Sequence, residues 1–115
     1  MIIHDVEWSQ TIHAIGYGIR HPHATYLIEW DDGESYEGTF FSASESDNSV
    51  ELGIEEDDPR YDEFQDCTYE ITRIIGDGGR RYHEFITIDY RDFPDRIVDV
   101  TNGVSVYPNG ETPSE

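Results

Sequence analysis

The sequence predicts a mainly β protein: an antiparallel sheet or small open barrel of about six to eight strands, with one short helix near residues 57–65. Its aliphatic residues are thirteen Ile and six Val against two Leu, and β-branched side chains suit a pleated surface better than a helix. Short stretches of alternating apolar residues follow one another, separated by Gly, Asp and Asn clusters that favour tight turns. At 115 residues the chain fits one domain, expected over 1–108, with 109–115 as a flexible tail.

The first two segments, Ile2 to Trp8 and Thr11 to Arg20, read as a strand pair. Their apolar positions are Ile2, Val6 and Trp8, then Ile12, Ile15, Tyr17 and Ile19. Alternation slips near Ala14 to Gly16, which predicts a bulge or bend. His21-Pro22-His23 ends the run, because Pro22 lacks a donor and biases His21 away from helix. The clearest unit is ATYLIEW, then DDGE, then SYEGTFF. Tyr26, Ile28 and Trp30 alternate on the first arm, Asp32-Gly33 supplies the positive-φ turn, and Tyr36 and Phe40 line the return. This text, YLIEWDDGESYEGTF, resembles the strand pair of small SH3-like barrels such as tudor and chromo domains, where a comparable W-D-D-G-x-x-Y-x-G string occurs. The resemblance implies a hairpin of a small barrel and carries no binding residues with it.

Ser42 to Ser49 reads as a polar loop and Val50 to Ile54 as a short strand. Pro59 suits the first turn of the predicted helix, with Asp57 or Asp58 as its cap and Tyr61 and Phe64 as its inward face. A second hairpin is expected from Cys67 to Ile75 and Arg80 to Tyr90 across GDGG. A last pair, Arg96 to Thr101 and Val104 to Tyr107, turns at Asn102-Gly103.

Charge is the dominant compositional fact: 26 acidic residues, seven Arg and no Lys give a net charge of −19. The excess is uneven. Residues 1–44, 45–70 and 71–115 carry seven, eleven and eight acids against one, one and five Arg, which leaves −6, −10 and −3. The stretch IEEDDPRYDEFQD, Ile54 to Asp66, holds seven carboxylates and one Arg. Self-repulsion on this scale opposes compaction, so it points to a cationic partner or to a special solvent.

Composition argues against several classes. Affinity for nucleic acid comes largely from Lys and Arg displacing condensed counterions, so direct binding is not expected, and Arg73, Arg80, Arg81, Arg91 and Arg96 are expected to pair with nearby acids. No apolar stretch approaches the ~20 residues that span a bilayer, and MIIHDVEWSQ has no signal-peptide character, so a cytoplasmic protein without a membrane role is expected. The single Cys67, in a strand-like run, reads as a small core residue. His21 and His23 form an H-x-H pair without a specific metal signature, and EEDDPRYDEF lacks the alternation of a calcium loop. The GDGG loop has no phosphate-binding pattern around it. No cofactor, metal or catalytic residue is assigned, and an enzyme is not expected.

In size, acidity and lack of catalytic motifs the chain resembles phage-encoded inhibitors of bacterial defence, such as anti-CRISPR and anti-restriction proteins that imitate DNA. That likeness implies a stoichiometric inhibitor, monomer or homodimer, in a host cell's cytoplasm, presenting carboxylates to a basic nucleic-acid-binding protein. The expected partner-binding residues are Glu55, Glu56, Asp57, Asp58, Asp62, Glu63 and Asp66. The alternatives are a halophilic SH3- or tudor-like barrel whose acidity is salt adaptation, and an acidic immunity protein against a nuclease toxin.

Overall fold

The computed structural model describes residues 2–109, so the tail expected over 109–115 lies outside the described residues except for Asn109. Six antiparallel strands form one open sheet: β1 (Tyr26–Glu29), β2 (Ser35–Asp47), β3 (Glu63–Gly76), β4 (Phe85–Ile88), β5 (Arg96–Asp99) and β6 (Val104–Tyr107). Their order across the sheet is β4-β3-β2-β1-β5-β6. The mainly β class is therefore as the β-branched composition and alternation imply.

Both hairpins marked by Asp-Gly and Asn-Gly are present. β1 and β2 pair from Tyr26↔Gly38 to Glu29↔Ser35, and Gly33 sits at φ +97 in the turn, where the Trp30 amide donates to the Glu34 carbonyl at 2.9 Å. β5 and β6 turn over Gly103 at φ +70. The inward residues Tyr26, Ile28, Tyr36, Tyr69, Ile86, Ile88, Ile97 and Val106 are fully buried and form the core with Trp30 and Cys67. Each large aliphatic or aromatic side chain so buried contributes roughly 1.5–3 kcal/mol. Gly38 is required where β2 crosses β3, because a Cβ there would stand 2.5 Å from the Glu70 carbonyl oxygen.

Five expectations are corrected. The segments Ile2–Trp8 and Thr11–Arg20 are not strands: Asp5–Trp8 is a 3-10 turn, and Thr11–Arg20 is helix α1, packed on the core face of the sheet. Its buried residues are Thr11, Ala14, Tyr17 and Gly18, a helical spacing, so the slip in alternation near Ala14 is the helical period itself. Tertiary packing overrides the low helix propensity of Thr, Ile and Gly here. The polar run Ser42–Asp47 is strand, not loop, because Ser44 and Ser46 both donate across β2–β3 to Asp66.

Val50–Ile54 is not a strand; Ser49–Leu52 is a single turn of helix, α2, closed by Gly53 in the left-handed region at φ +64. The helix expected near 57–65 is absent: residues 56–60 are turns and bends, and β3 has begun by Glu63. The cause is local. Asp58 accepts the Arg60 amide at 2.8 Å, a side-chain turn that competes with helix, and Phe64 is buried as a strand residue. The second hairpin is also shorter on its return, where β4 spans only Phe85–Ile88 and Tyr90–Asp92 is a 3-10 turn.

At the β1–β2 turn end, Arg80 holds three segments together. Its Nη1 donates to Asp32 at 2.8 Å and to Glu34 at 2.7 Å, its Nε donates to Asp92 at 2.6 Å, and its guanidinium lies 4.6 Å from the Trp30 ring centroid. Glu34 is buried and also accepts the Arg80 amide and the Tyr36 hydroxyl. Turn, β3–β4 connection and the 90–92 segment are thus fixed to one another.

Candidate partner-binding face

The acidic segment lies in the connection between β2 and β3, at the opposite end of β2 from the β1–β2 turn. Asn48 closes its neck. The Asn48 amide donates to the Asp62 carbonyl at 3.1 Å, its Oδ1 accepts the Asp62 amide at 2.8 Å, and its Nδ2 donates to the Arg60 carbonyl at 2.8 Å. Within the neck, the Ile54 amide returns to Ser49 and the Tyr61 amide to Asp58. The connection is a hydrogen-bonded turn structure although it contains no long helix.

The seven expected residues divide into two groups. Glu55, Glu56 and Asp57 are exposed and have no ion-pair partner among the described residues. Asp58 is half-buried and committed to Arg60, whose guanidinium donates through Nε and Nη2 at 3.1 Å each; those bonds and the Arg60 amide hold the Asp58 carboxyl below its ordinary pKa. These four face outward from the turn structure.

Asp62, Glu63 and Asp66 are drawn into the fold instead. Asp62 accepts His4 Nε2 at 2.7 Å and the Tyr90 hydroxyl, and the His4 ring lies against Tyr90 with centroids 4.2 Å apart. Glu63 accepts the Tyr61 hydroxyl at 2.8 Å and the Ile2 amide at 2.8 Å, and these donors lower its pKa, the phenol first. Asp66 is buried beneath Ser44 and Ser46. The expected array of seven outward carboxylates is therefore reduced to four, because Asp62, just before β3, and Glu63 and Asp66, within it, are held by donors on the N-terminal segment, Tyr61, β2 and the 90–92 turn. The buried Glu7 works in the same way, accepting the His4 amide at 2.9 Å and the Gln65 amide at 2.8 Å.

Sequence reasoning missed two members of the outward face. Glu45 and Asp47 are exposed on β2, opposite Gln65 and Glu63. Asp47 accepts the Ser49 hydroxyl at 2.6 Å and the Ser49 amide at 2.9 Å, which holds its carboxyl below the ordinary range. The alternation in SESD was the available signal. Glu51, on α2, pairs with Arg91 at 3.1 Å, and that guanidinium stacks 3.8 Å from the Phe64 ring centroid. Phe64 thus anchors β3 beneath the acidic end.

The cations are largely spent inside the fold. Arg60, Arg73, Arg80, Arg81, Arg91 and Arg96 each lie within ion-pair distance of a carboxylate. Among the described residues no three His, Cys, Asp or Glu side chains are grouped to hold a metal ion. The His21 ring stacks on Tyr17 with centroids 4.3 Å apart. Cys67 is buried, and burial pushes its thiol up to about 12, far from the thiolate a nucleophile needs. No helix among the described residues is long and apolar enough to cross a membrane. No family model, curated protein or solved structure matches the chain.

Proposed function

We propose that this protein is a stoichiometric inhibitor that presents a fixed carboxylate array to a basic nucleic-acid-binding protein. The observation that carries the reading is the exposed group Glu45 and Asp47 on β2 with Glu55, Glu56 and Asp57 on the connection that follows, gathered at one end of the β2–β3 ribbon and closed by Asn48, with the half-buried Asp58 beside them. Duplex DNA offers one negative charge per ~1.7 Å of axis, and a groove built for it places Lys and Arg to match. Carboxylates on a hydrogen-bonded scaffold satisfy such a groove with less ordering cost than a mobile acidic tail. Association is steered by long-range attraction, weakens with salt and excludes nucleic acid. An inhibitor of this kind, like the phage-encoded proteins the chain resembles in character, would act in the cytoplasm of a host cell.

The test is displacement. A panel of basic DNA- and RNA-binding proteins, nucleases included, is titrated with the protein at low salt while bound nucleic acid is followed. The reading expects one-to-one displacement by at least one class of target. It also expects loss of that displacement in the E55Q/E56Q/D57N variant, with unchanged folding.

Salt adaptation is the second reading, and a specific observation favours it: Asp5, Asp31, Glu70, Glu84 and Asp95, on elements far apart in the chain, are also exposed and have no ion-pair partner among the described residues. Under that reading the fold requires molar salt. A protein that unfolds below that range and displaces nothing refutes the inhibitor proposal.

A further inference from the structure

β2 is paired on both sides only at its beginning. β1 covers Ser35 to Gly38, and from there to Asp47 the only strand beside β2 among the described residues is β3. The last register shift falls between Phe40 and Ser42, and beyond it Ser42↔Thr68 through Asp47↔Glu63 pair without interruption. Six residues of regular strand therefore run along an open edge, about the length of a typical strand, and alternate residues turn their backbone N–H and C=O away from β3 toward it. Nothing in the described chain covers them: Ser42, Ala43, Ser44, Glu45 and Asp47 are all exposed and Ser46 is half-buried. At the start of this edge Phe41 is 57% exposed and rests on Phe85 with ring centroids 4.8 Å apart.

Such an edge is a template for an added strand. We propose that β2 from Ser42 to Asp47 captures an extended cationic segment of the partner by strand addition, a contact mode that rests on the inhibitor reading above. Charge selects the occupant. Glu45 and Asp47 lie on the edge, and Glu55, Glu56 and Asp57 stand in the connection that follows it, so a segment with Lys or Arg at alternate positions meets carboxylates while its backbone pairs with β2. A second copy of the chain is disfavoured, because β2-to-β2 pairing would bring the same carboxylates together on molecules that each carry −19. Phe41 offers the stem of a long basic side chain an apolar rest.

The probe is a decapeptide of alternating Lys and Thr, compared with the same peptide N-methylated at every backbone amide, which keeps the charge and removes its hydrogen-bond donors. Binding is measured by calorimetry at low salt and by amide hydrogen exchange. The proposal expects the methylated peptide to bind at least tenfold more weakly. It also expects the unmethylated peptide to slow exchange at edge-facing amides between Ser42 and Asp47. Equal affinity of the two peptides, or no binding of either at millimolar concentration, overturns strand addition. So does protection of the same amides by self-association in the absence of peptide. The inhibitor reading is scored separately by the displacement panel. Displacement without the methylation effect sinks only the edge inference, and strand capture without displacement of any nucleic acid sinks only the inhibitor reading.

Discussion

Replacing Arg80 with Met removes the guanidinium that joins the β1–β2 turn to two other segments while keeping an unbranched stem over Trp30. Glu34, 5% exposed, would keep the Arg80 amide and the Tyr36 hydroxyl but lose its countercharge. Stripping a buried ion of its partner costs roughly 3–5 kcal/mol. The Arg80 side chain is 26% exposed, so solvent reaches the site and the lower part of that range applies. Asp32 and Asp92 are 53% and 63% exposed, and such arms add less than about 1 kcal/mol each. The expected loss for Arg80→Met is therefore about 3 kcal/mol, which at a urea m-value of ~1.5 kcal/mol/M moves the midpoint down by about 2 M. Adding Glu34→Gln should recover ~1–2 kcal/mol by removing the stranded charge. A loss below about 1 kcal/mol, or no recovery in the double variant, would refute the view that Arg80 neutralises a buried carboxylate.

Three further outcomes are expected. Asp99 is fully buried; burial pushes its carboxyl up, but donors from Tyr17 and Asn102 outweigh this and hold it below 3.8. A depressed carboxyl stabilises the fold above its unfolded pKa and loses that contribution as pH falls through the folded one. Tyr17→Phe, which removes a 2.6 Å donor, should thus cost ~1.5–3 kcal/mol at pH 7, and in urea melts the deficit should shrink below about pH 4. A deficit independent of pH would mean that the hydroxyl acts only through packing. Gly38→Ala, whose methyl would meet the Glu70 carbonyl, should lower stability by several kcal/mol or prevent folding, as read by thermal melts; a near-neutral variant would show that β2 and β3 can move apart there. The E55Q/E56Q/D57N variant should be at least as stable as the parent at low salt and should show a smaller rise in Tm on adding salt, because it removes three exposed like charges. A loss of more than ~1 kcal/mol would assign those side chains a structural role.

The hairpins at Gly33 and Gly103 were legible because alternation with period two and an Asp-Gly or Asn-Gly turn are both local signals. Helix α1 was not. Its inward face is Thr11, Ala14, Tyr17 and Gly18, so its exposed Ile19 and half-buried Ile12 and Ile15 misdirect a reading by hydrophobicity. Gly18 lets the helix approach the sheet, since a Cβ there would lie 2.5 Å from the Phe40 ring, and that requirement exists only once β2 is in place. The acidic end was legible as charge and illegible as geometry. Which carboxylates turn inward depends on donors distant in sequence: Ile2 for Glu63, His4 for Asp62, Ser44 for Asp66. Each of those three residues looks like its exposed neighbours until the strands are paired.

Asn48 fastens Asp62 and Arg60 through three hydrogen bonds, so the residues between are a closed module whose ends are fixed regardless of what it contains. Loop-closure entropy rises only by about 0.6 kcal/mol for each doubling of length. Residues 54–57, which leave out the Glu51–Arg91 and Asp58–Arg60 pairs, can therefore be lengthened, shortened or exchanged for a different pattern of charges while the core from Tyr26 to Val106 stays as it is. The outward chemistry and the fold are separable inheritances, and a library grafted behind Asn48 would vary the first without disturbing the second.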